Sequence, residues 1–462
     1  MSFSESAPAR SWLEHVKATI RLGLPLIGSQ LAQLALNVTN TVTLGRLGPD
    51  ELAAAVLGWQ AFFVIWMFGS GFGYAIMPLA ANALGARDPR GLRRFLRMGL
   101  WLGFAYALLA TPLLWRGEAL FLALGQEARI SALAAEYLRI LQWSLFPQLA
   151  IIALRSFFGA LERPGIALLA LVMGGALNLL LNLLLVFGGW GIPAMGMAGA
   201  GLATLLSTSC VALFLAAYAA GAPSVRIHAA FGRFLKPDLP ALREVFRLGW
   251  PIGATIVAEV ALFSATTIMM GWVGARELAA HGVALQYSGL AFMIPLGLSA
   301  AATIRVGRAQ GRGDASGVSR AAIAALGVGA VFACLSALAF LTIPETLAGL
   351  YLDLKNPEAA AVAPFVVGFL AVAAVFQIVD SLQGLASGAL RGLKDARTPM
   401  LIALVSYWGV GAPASYGLAF GLGWGGIGIW WGLALGLTTA AALMTWRLAG
   451  RLRRPLAMAA AG

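Results

Sequence analysis

The chain has 462 residues, of which 60% are hydrophobic and only 11% carry a charge. A typical soluble domain is about 25% charged, and the mean hydropathy of +0.84 also indicates a membrane protein. The composition therefore excludes a cytosolic globular enzyme, a disordered chain and a disulfide scaffold. Apolar blocks of about 20 residues fit membrane-spanning helices. They argue against an outer-membrane barrel, whose strands alternate polar and apolar residues.

Twelve candidate membrane helices lie between the charged and Pro/Gly-rich stretches of the sequence. They are predicted at 20–44, 52–79, 95–115, 131–157, 166–188, 197–220, 246–271, 278–303, 319–343, 359–389, 400–421 and 425–447. No cleavable signal peptide is expected, because the first 19 residues are polar and charged. The sequence thus predicts an all-α integral membrane protein.

The basic residues are distributed unevenly between the two sides of the predicted membrane. Of 32 Lys and Arg residues, 26 fall in the N-terminus, the C-terminal tail and the regions that follow the even-numbered helices. Because cytoplasmic loops are enriched in Lys and Arg, both termini are predicted to be cytoplasmic, in a bacterial inner (plasma) membrane. The net charge of +13 is scattered over short loops, which favours the lipid bilayer and not nucleic acid as partner.

The two halves of the sequence are related by an ungapped repeat. With an offset of 226, residues 21–103 fall on 247–329. The matched pairs include Gly23 and Gly249, Pro25 and Pro251, Gly85 and Gly311, and Asp88 and Asp314. The repeat predicts two pseudo-symmetric six-helix lobes, 1–220 and 246–462, joined by a cytoplasmic linker at 221–245. Parallel repeats of this kind usually place substrate between the lobes and alternate its access to the two sides.

Two of the 19 acidic residues, Glu259 and Asp380, are predicted deep inside helices. An ionisable side chain there costs about 2.5–3.5 kcal/mol and normally marks an ion pathway. No Lys or Arg is expected deep in a helix to neutralise them, since Arg155 is predicted near the cytoplasmic end of helix 4. The pair is predicted to bind a proton or a sodium ion. A structural, hydrogen-bonded role is the alternative.

The N-terminal lobe carries amides where the C-terminal lobe carries these carboxylates. Gln33, Asn37 and Asn40 share one face of helix 1 by their spacing. Asn178 and Asn182 lie one turn apart in helix 5 and extend the same polar set. These residues are predicted to face the interior of the N-terminal lobe or the central cleft. A packed seam of interhelical hydrogen bonds is the alternative.

Several other side chains are candidates for substrate contacts near the acidic site. They are Phe263, Gln286, Tyr287, Phe292 and Phe376. Aromatic rings beside an anionic site attract organic cations. The sequence has no phosphate-binding loop, His/Glu zinc motif or Gly-x-Ser-x-Gly elbow. We therefore expect a protein that is not an enzyme and uses no cofactor.

Three segments resemble the NorM-like branch of the multidrug and toxic compound extrusion (MATE) transporters. They are Asn40–Gly48, Gly249–Pro251 followed by Glu259, and Asp380–Asp395. The resemblance implies twelve helices in two V-shaped six-helix lobes. It also implies export of cationic, amphipathic compounds in exchange for inward sodium ions or protons. Glu259 and Asp380 match the acidic positions of the C-terminal lobe in that family.

One position departs from the family pattern, because Asn40 stands where the family usually has Asp. The repeat also aligns Gln33 with Glu259. Ion coupling is therefore predicted in the C-terminal lobe. The leading hypothesis is a monomeric secondary antiporter of small cationic molecules. The alternatives are a lipid-linked oligosaccharide flippase, which would favour Arg or Lys lining the cavity, and a membrane enzyme or receptor, for which no motif is visible.

Overall fold

The computed structural model describes residues 11–189, 191–353 and 355–460, and this part of the chain is helical almost throughout. Twelve long helices follow one another along it. They are α1 (Trp12–Gly45), α2 (Pro49–Gly85), α3 (Pro89–Trp115), α4 (Ala128–Ala160), α5 (Pro164–Val186), α6 (Gly196–Gly221), α7 (Leu239–Val273), α8 (Ala275–Gly311), α9 (Ala315–Thr342), α10 (Ala363–Gly392), α11 (Arg397–Gly421) and α12 (Gly425–Ala460). The prediction of an all-α membrane protein with twelve spans is confirmed.

Helix α1 differs from the other eleven in its polarity. Helices α2 to α12 are each long and apolar enough to cross a membrane. Helix α1 has 34 residues, which at 1.5 Å per residue is also ample length. Its apolar character is reduced by the amide side chains of Gln30, Gln33, Asn37 and Asn40. Among the twelve long helices of the described chain, the one without a sufficiently apolar stretch is thus the one that carries the predicted polar face.

Several irregular segments interrupt the predicted spans. Short helices form at Gly117–Ala123, Pro223–Arg226, Pro344–Tyr351 and Pro357–Ala360. Helix α11 was predicted as a regular span, but it contains two π-helical segments, Val405–Gly411 and Gly417–Gly421. Helix α12 passes very close to it, since a Cβ on Gly432 would overlap the Ser415 backbone nitrogen. A widened turn lets the backbone adapt to such a neighbour.

The contacts divide the chain into two compact units. Unit 1 contains the chain up to Ile27, Leu262–Leu393 and the chain from Ile402 onwards. Unit 2 contains Gly28–Ala261 and Lys394–Leu401. The division falls inside α1 and inside α7, so each of these helices contributes to both units. The lobe limits expected from the repeat stay a prediction.

Close backbone contacts hold the helices of each unit together. In unit 2, a Cβ on Gly71 of α2 would overlap the Gly249 carbonyl oxygen of α7. In unit 1, the Ser299 hydroxyl of α8 donates to the Gly384 carbonyl of α10 at 2.7 Å, and the Thr303 hydroxyl donates to that of Gly388 at 2.8 Å. Small residues and interhelical hydrogen bonds are the usual means of packing where lipid removes the hydrophobic driving force.

The segment before α7 is fastened to the start of α3 within unit 2. Arg94 donates two hydrogen bonds to the Asp238 carboxylate, and the Arg97 guanidinium donates to the Arg233 carbonyl at 2.8 Å. Asp238 also accepts from the Ala241 backbone N–H at 3.2 Å, which caps α7. The hydrogen bond from Arg94 holds the pKa of Asp238 below its ordinary value. The helix therefore begins at Leu239, well before the predicted residue 246.

We expect Asp238→Asn to lower the stability of the protein by about 1 kcal/mol, because it removes the ion pair with the partly exposed Arg94. The pKa of Asp238 is lowered in the folded state, so this contribution is present above the ordinary carboxyl pKa. It is lost as the pH falls through the lowered value. Thermal unfolding of the purified wild-type and Asp238→Asn proteins at several pH values measures this contribution to stability.

Glu244→Gln is the matched control, since it removes the exposed Glu244–Lys394 pair at the same end of α7. Its effect should stay within about 0.5 kcal/mol. Equal effects of the two substitutions would contradict a specific role for Asp238.

Candidate functional site

The predicted amides of unit 2 form one buried network across three helices. Asn182 donates to the Asn40 side-chain oxygen at 2.8 Å and to that of Asn178 at 3.0 Å. Asn40 donates to the Thr204 hydroxyl at 3.3 Å, and Asn178 to the Ser207 hydroxyl at 3.2 Å. Asn178 and Asn182 are fully buried. The structure thus brings together three of the five predicted amides, and their mutual hydrogen bonds join α1, α5 and α6.

The other two amides of α1 that were predicted as candidates behave differently. Gln33 accepts a hydrogen bond from the Arg155 guanidinium at 3.1 Å, and Gln30 accepts one at 2.7 Å. Asn37 is half-buried, and its side chain makes no hydrogen bond within the described part of the chain. The expectation that no Lys or Arg neutralises Glu259 or Asp380 stays a prediction, and the structure pairs Arg155 with these amides of α1. Its long side chain extends from α4 to the polar face of α1, which the position in the sequence alone did not reveal.

A small cavity lies within unit 2, between α1, α2, α4, α5 and α6. Gln33, Gln148, Ser207 and Thr208 give it a polar wall, and the side chain of Trp66 contributes an aromatic one. No carboxylate lines it. The Arg155 guanidinium donates to Gln33 at 3.1 Å, so a positive charge lies next to this polar wall.

The Asp380 carboxylate, on α10, is buried in unit 1, with 3% of the residue's surface exposed. Phe376, one turn earlier on α10, contacts Phe263 of α7 and Trp430 of α12 in edge-to-face geometry at 6.1 and 5.8 Å. One turn later, Phe292 of α8 packs against Gly384. Three of the predicted substrate contacts therefore surround the stretch of α10 that carries the carboxylate.

Further polar atoms are buried near this aromatic cluster in unit 1. His281 lies edge-to-face on Trp430 at 5.7 Å, and its Nε2 is 3.1 Å from the Thr267 hydroxyl. Within the described residues, no hydrogen-bond partner is present for His281 Nδ1 or for either amide atom of Gln377. Buried polar atoms normally have a partner, which includes water or an ion. A hydrated or ion-binding interior fits this part of unit 1.

Gln377 was not among the predicted site residues, although the sequence contains a signal for it. It precedes Asp380 by three positions, so both occupy one face of α10. A buried Gln is less conspicuous than a carboxylate in a helix, because neutral amides also serve in ordinary helix packing.

The remaining predicted residues lie apart from this cluster or in other surroundings. Glu259 is half-buried in the part of α7 that belongs to unit 2, whereas Asp380 belongs to unit 1. That the two carboxylates share one site stays a prediction. Gln286 is exposed, and the Tyr287 hydroxyl donates to the Leu347 carbonyl at 2.8 Å, which fastens a short helix after α9.

We expect Asn182→Ala to destabilise the protein more than Asn37→Ala does. Asn182 is fully buried and donates to both Asn40 and Asn178, and interhelical hydrogen bonds in membranes contribute about 0.6 kcal/mol each on average. Asn37 has the same side chain in a half-buried position without such bonds. Unfolding midpoints of the two variants in one detergent measure the difference, and equal midpoints would show that the network does not hold the helices together.

Comparison with known proteins places this geometry in a family. The sequence model of the MatE family matches residues 25–184 and 251–417. The chain is 46% identical over 451 residues to a Rhizobium meliloti protein described as probable multidrug resistance protein NorM, with 98% of this chain and 97% of the relative covered. A protein of the same description from Pseudomonas putida is 41% identical over 444 residues, with 96% of each covered.

Solved structures show the same fold. The eukaryotic MATE transporter AtDTX14 aligns with a TM-score of 0.84 at 22% identity, over 96% of this chain and 98% of that one. A MATE structure described as being in the bent conformation aligns with a TM-score of 0.86 at 21% identity, over 98% and 100%. The two matched segments of the family model fall in the two halves of the sequence repeat, and the relatives cover nearly the whole chain: this protein belongs to the MatE family of membrane transporters.

Proposed function

We propose that the protein is a multidrug efflux antiporter, which exports cationic amphipathic compounds in exchange for inward sodium ions or protons by alternating access between its two lobes. The observation that carries this proposal is the carboxylate of Asp380, buried within a membrane helix of a MatE-family protein. A buried carboxylate is costly in a membrane unless it serves an ion or a partner. The relatives described as multidrug resistance proteins support the substrate class.

The surroundings of Asp380 suit both kinds of cation. Phe376, Phe263 and Phe292 supply ring faces and edges close to α10, and rings attract organic cations once these leave water. A proton or sodium ion would compete with the organic cation for the same negative charge. Binding of one would weaken binding of the other, and this negative coupling is reciprocal. Exchange of the two across the membrane follows from that competition.

The cavity of unit 2 is a poorer place for a coupling ion. Its wall holds amides and hydroxyls, and the Arg155 guanidinium donates to Gln33 at 3.1 Å. A positive charge repels a second cation, and the repulsion is stronger away from bulk water. Asn40 is neutral and engaged with Thr204 and Asn182. We therefore assign coupling to the carboxylates, with the amide network as scaffold.

Arg155 also favours the second candidate function, a flippase for lipid-linked oligosaccharides. A diphosphate-linked lipid is anionic, and Arg is the residue best suited to bind phosphate oxygens. The guanidinium already donates to two amide oxygens, Gln30 and Gln33. The buried Asp380 would oppose an anionic substrate, so we place this function second.

Transport by purified protein in liposomes tests the proposal. Vesicles containing an ethidium-like cation are given a pH gradient alone, a sodium gradient alone, or neither. Cation movement driven by either gradient is the expected result. Absence of gradient-driven movement, together with translocation of a fluorescent diphosphate lipid, would favour the flippase instead.

We expect Glu259→Gln to abolish gradient-driven efflux while leaving the protein folded. Gln keeps the size and hydrogen-bonding capacity of Glu but cannot carry the charge that binds a cation. Efflux in the liposome assay and thermal unfolding of the same preparation measure the two properties. Glu136→Gln is a control, because it makes the same change at an exposed carboxylate. Wild-type efflux by a well-folded Glu259→Gln protein would contradict the assignment.

We expect Asp380→Asn to cause a similar loss, and the double variant Glu259→Gln/Asp380→Asn to bind the coupling ion no more weakly than either single variant. Two groups that hold one ion lose its affinity together, whereas independent sites give additive losses. The double-mutant cycle is measured from the ion affinities of the wild-type protein, the two single variants and the double variant. Additive losses would show that the two carboxylates serve separate sites.

A further inference from the structure

The first part of α1 packs against α8 within unit 1 through a close backbone crossing. A Cβ on Gly297 would lie 2.7 Å from the Ile27 backbone nitrogen. A Cβ on Gly23 would lie 2.8 Å from the Leu298 side chain. Beyond this crossing, towards the N-terminus, α1 presents His15 and Thr19, and both are buried.

The sequence repeat produces the same crossing a second time, within unit 2. The offset of 226 converts Gly297 and Gly23 into Gly71 and Gly249. A Cβ on Gly71 would overlap the Gly253 nitrogen, and one on Gly249 would lie 2.7 Å from the Phe72 ring. The first part of α7 therefore meets α2 as the first part of α1 meets α8. The two contacts are matched copies, which makes any chemical difference between them informative.

The two copies differ in polarity next to the crossing. In unit 2 the packing is apolar, with Leu79, Ala241 and Val245 in one buried cluster. The same offset places Arg305, His15 and Thr19 at the corresponding positions of unit 1. The Arg305 guanidinium donates to the His15 carbonyl at 2.8 Å, to the Thr19 hydroxyl, and to His15 Nδ1 at 2.7 Å. Because apolar residues fill the matched contact in unit 2, packing alone does not require the charged Arg305 in unit 1.

The contact between Arg305 and His15 fixes the protonation state of the imidazole. A guanidinium has only N–H donors, so His15 Nδ1 must be the acceptor. The ring is therefore neutral, with its proton on Nε2. A second proton on Nδ1 would remove this hydrogen bond and place two positive charges face to face. Histidine is the side chain that ordinarily changes charge between pH 5 and 8.

One carboxylate and one further cation border the pair on the neighbouring element. Asp314 begins α9 and interacts electrostatically with both His15 and Arg312. Burial raises the pKa of Asp314, but hydrogen bonds from the Gly317 N–H and the Ser316 hydroxyl outweigh it, and the pKa lies below the ordinary value. Asp314 thus stays negative and attracts a proton to His15, against the repulsion from Arg305. On α1 itself, Glu14 accepts from the Ser11 N–H at the helix start.

We propose that His15 and Arg305 form a proton-binding site at the N-terminal end of α1, where protonation of His15 releases this end of the helix from α8. The matched positions of unit 2, Leu79, Ala241 and Val245, carry no titratable side chain, and the pKa of the neighbouring Asp238 is held below its ordinary value by Arg94, so that contact stays closed between pH 8 and pH 6. Acid on the side of the N-terminus then loosens one of two matched helix contacts and leaves the other unchanged.

Hydrogen exchange of the full-length protein in lipid nanodiscs at pH 8 and pH 6 tests this inference, after correction for intrinsic exchange rates. Backbone amides at 13–22 should exchange about fourfold faster at pH 6, which is the change given by an imidazole of ordinary proton affinity that binds a proton only in the released state. Amides at 241–248, the matched segment of α7, should show no such change. Equal responses of the two segments, or none in either, would overturn the proposal.

Two variants make the test specific. His15→Asn retains a side-chain oxygen that accepts from Arg305 but cannot titrate, so the pH response at 13–22 should disappear. The triple variant His15→Ala/Thr19→Val/Arg305→Leu copies the apolar residues of unit 2. Its amides at 13–22 should also show no pH response. A full pH response in a folded His15→Asn protein would overturn the proposal. NMR of the three histidines supplies a second measurement, in which the His15 ring must titrate together with the exchange rates.

Discussion

The membrane interior supplies no water to a buried polar group, and this constraint explains most of the polar arrangement of the protein. The Asn182 side-chain N–H group donates to Asn40 and to Asn178, and the first of these bonds joins α5 to α1. Arg155 is satisfied by two amides of α1. Groups that find no such partner inside a helix bundle are costly. Within the described residues, both amide atoms of Gln377 and the Nδ1 atom of His281 are such groups, so their surroundings are where we most expect water or an ion to enter.

The same constraint decides how much the sequence could predict. Span length and the spacing of charges follow directly from bilayer thickness, so the twelve helices, their order and the repeat were predictable. The shared face of Asn178 and Asn182 on α5 was also predictable, because helical spacing fixes which residues of one helix point the same way. The ends of the helices were less predictable. Helix α7 begins at Leu239 because Asp238 caps it. Asp238 is in turn held by Arg94, which is distant from it in the sequence.

The partners of long side chains were also not predictable from the sequence. Arg155 lies near the end of α4 in the sequence, yet its guanidinium contacts the polar face of α1. The aromatic ring of Phe376 was predicted as a substrate contact, and the structure shows it joined to Phe263 and Trp430. Such contacts depend on which helices pack together, and a single sequence contains no direct record of that. The close approach of α11 and α12, with its π-helical turns, was unpredictable for the same reason.

Those π-helical turns have a consequence for how the chain tolerates changes in length. In a regular helix, removal of one residue rotates everything beyond it by about 100°, which turns a packed face away from its neighbour. A π turn already holds an additional residue, so removal of one within Val405–Gly411 can restore regular geometry locally. Helix α10 is a regular α-helix from Ala363 to Gly392 and contains no additional residue of this kind. Insertions and deletions in related chains should therefore gather in α11 and avoid α10.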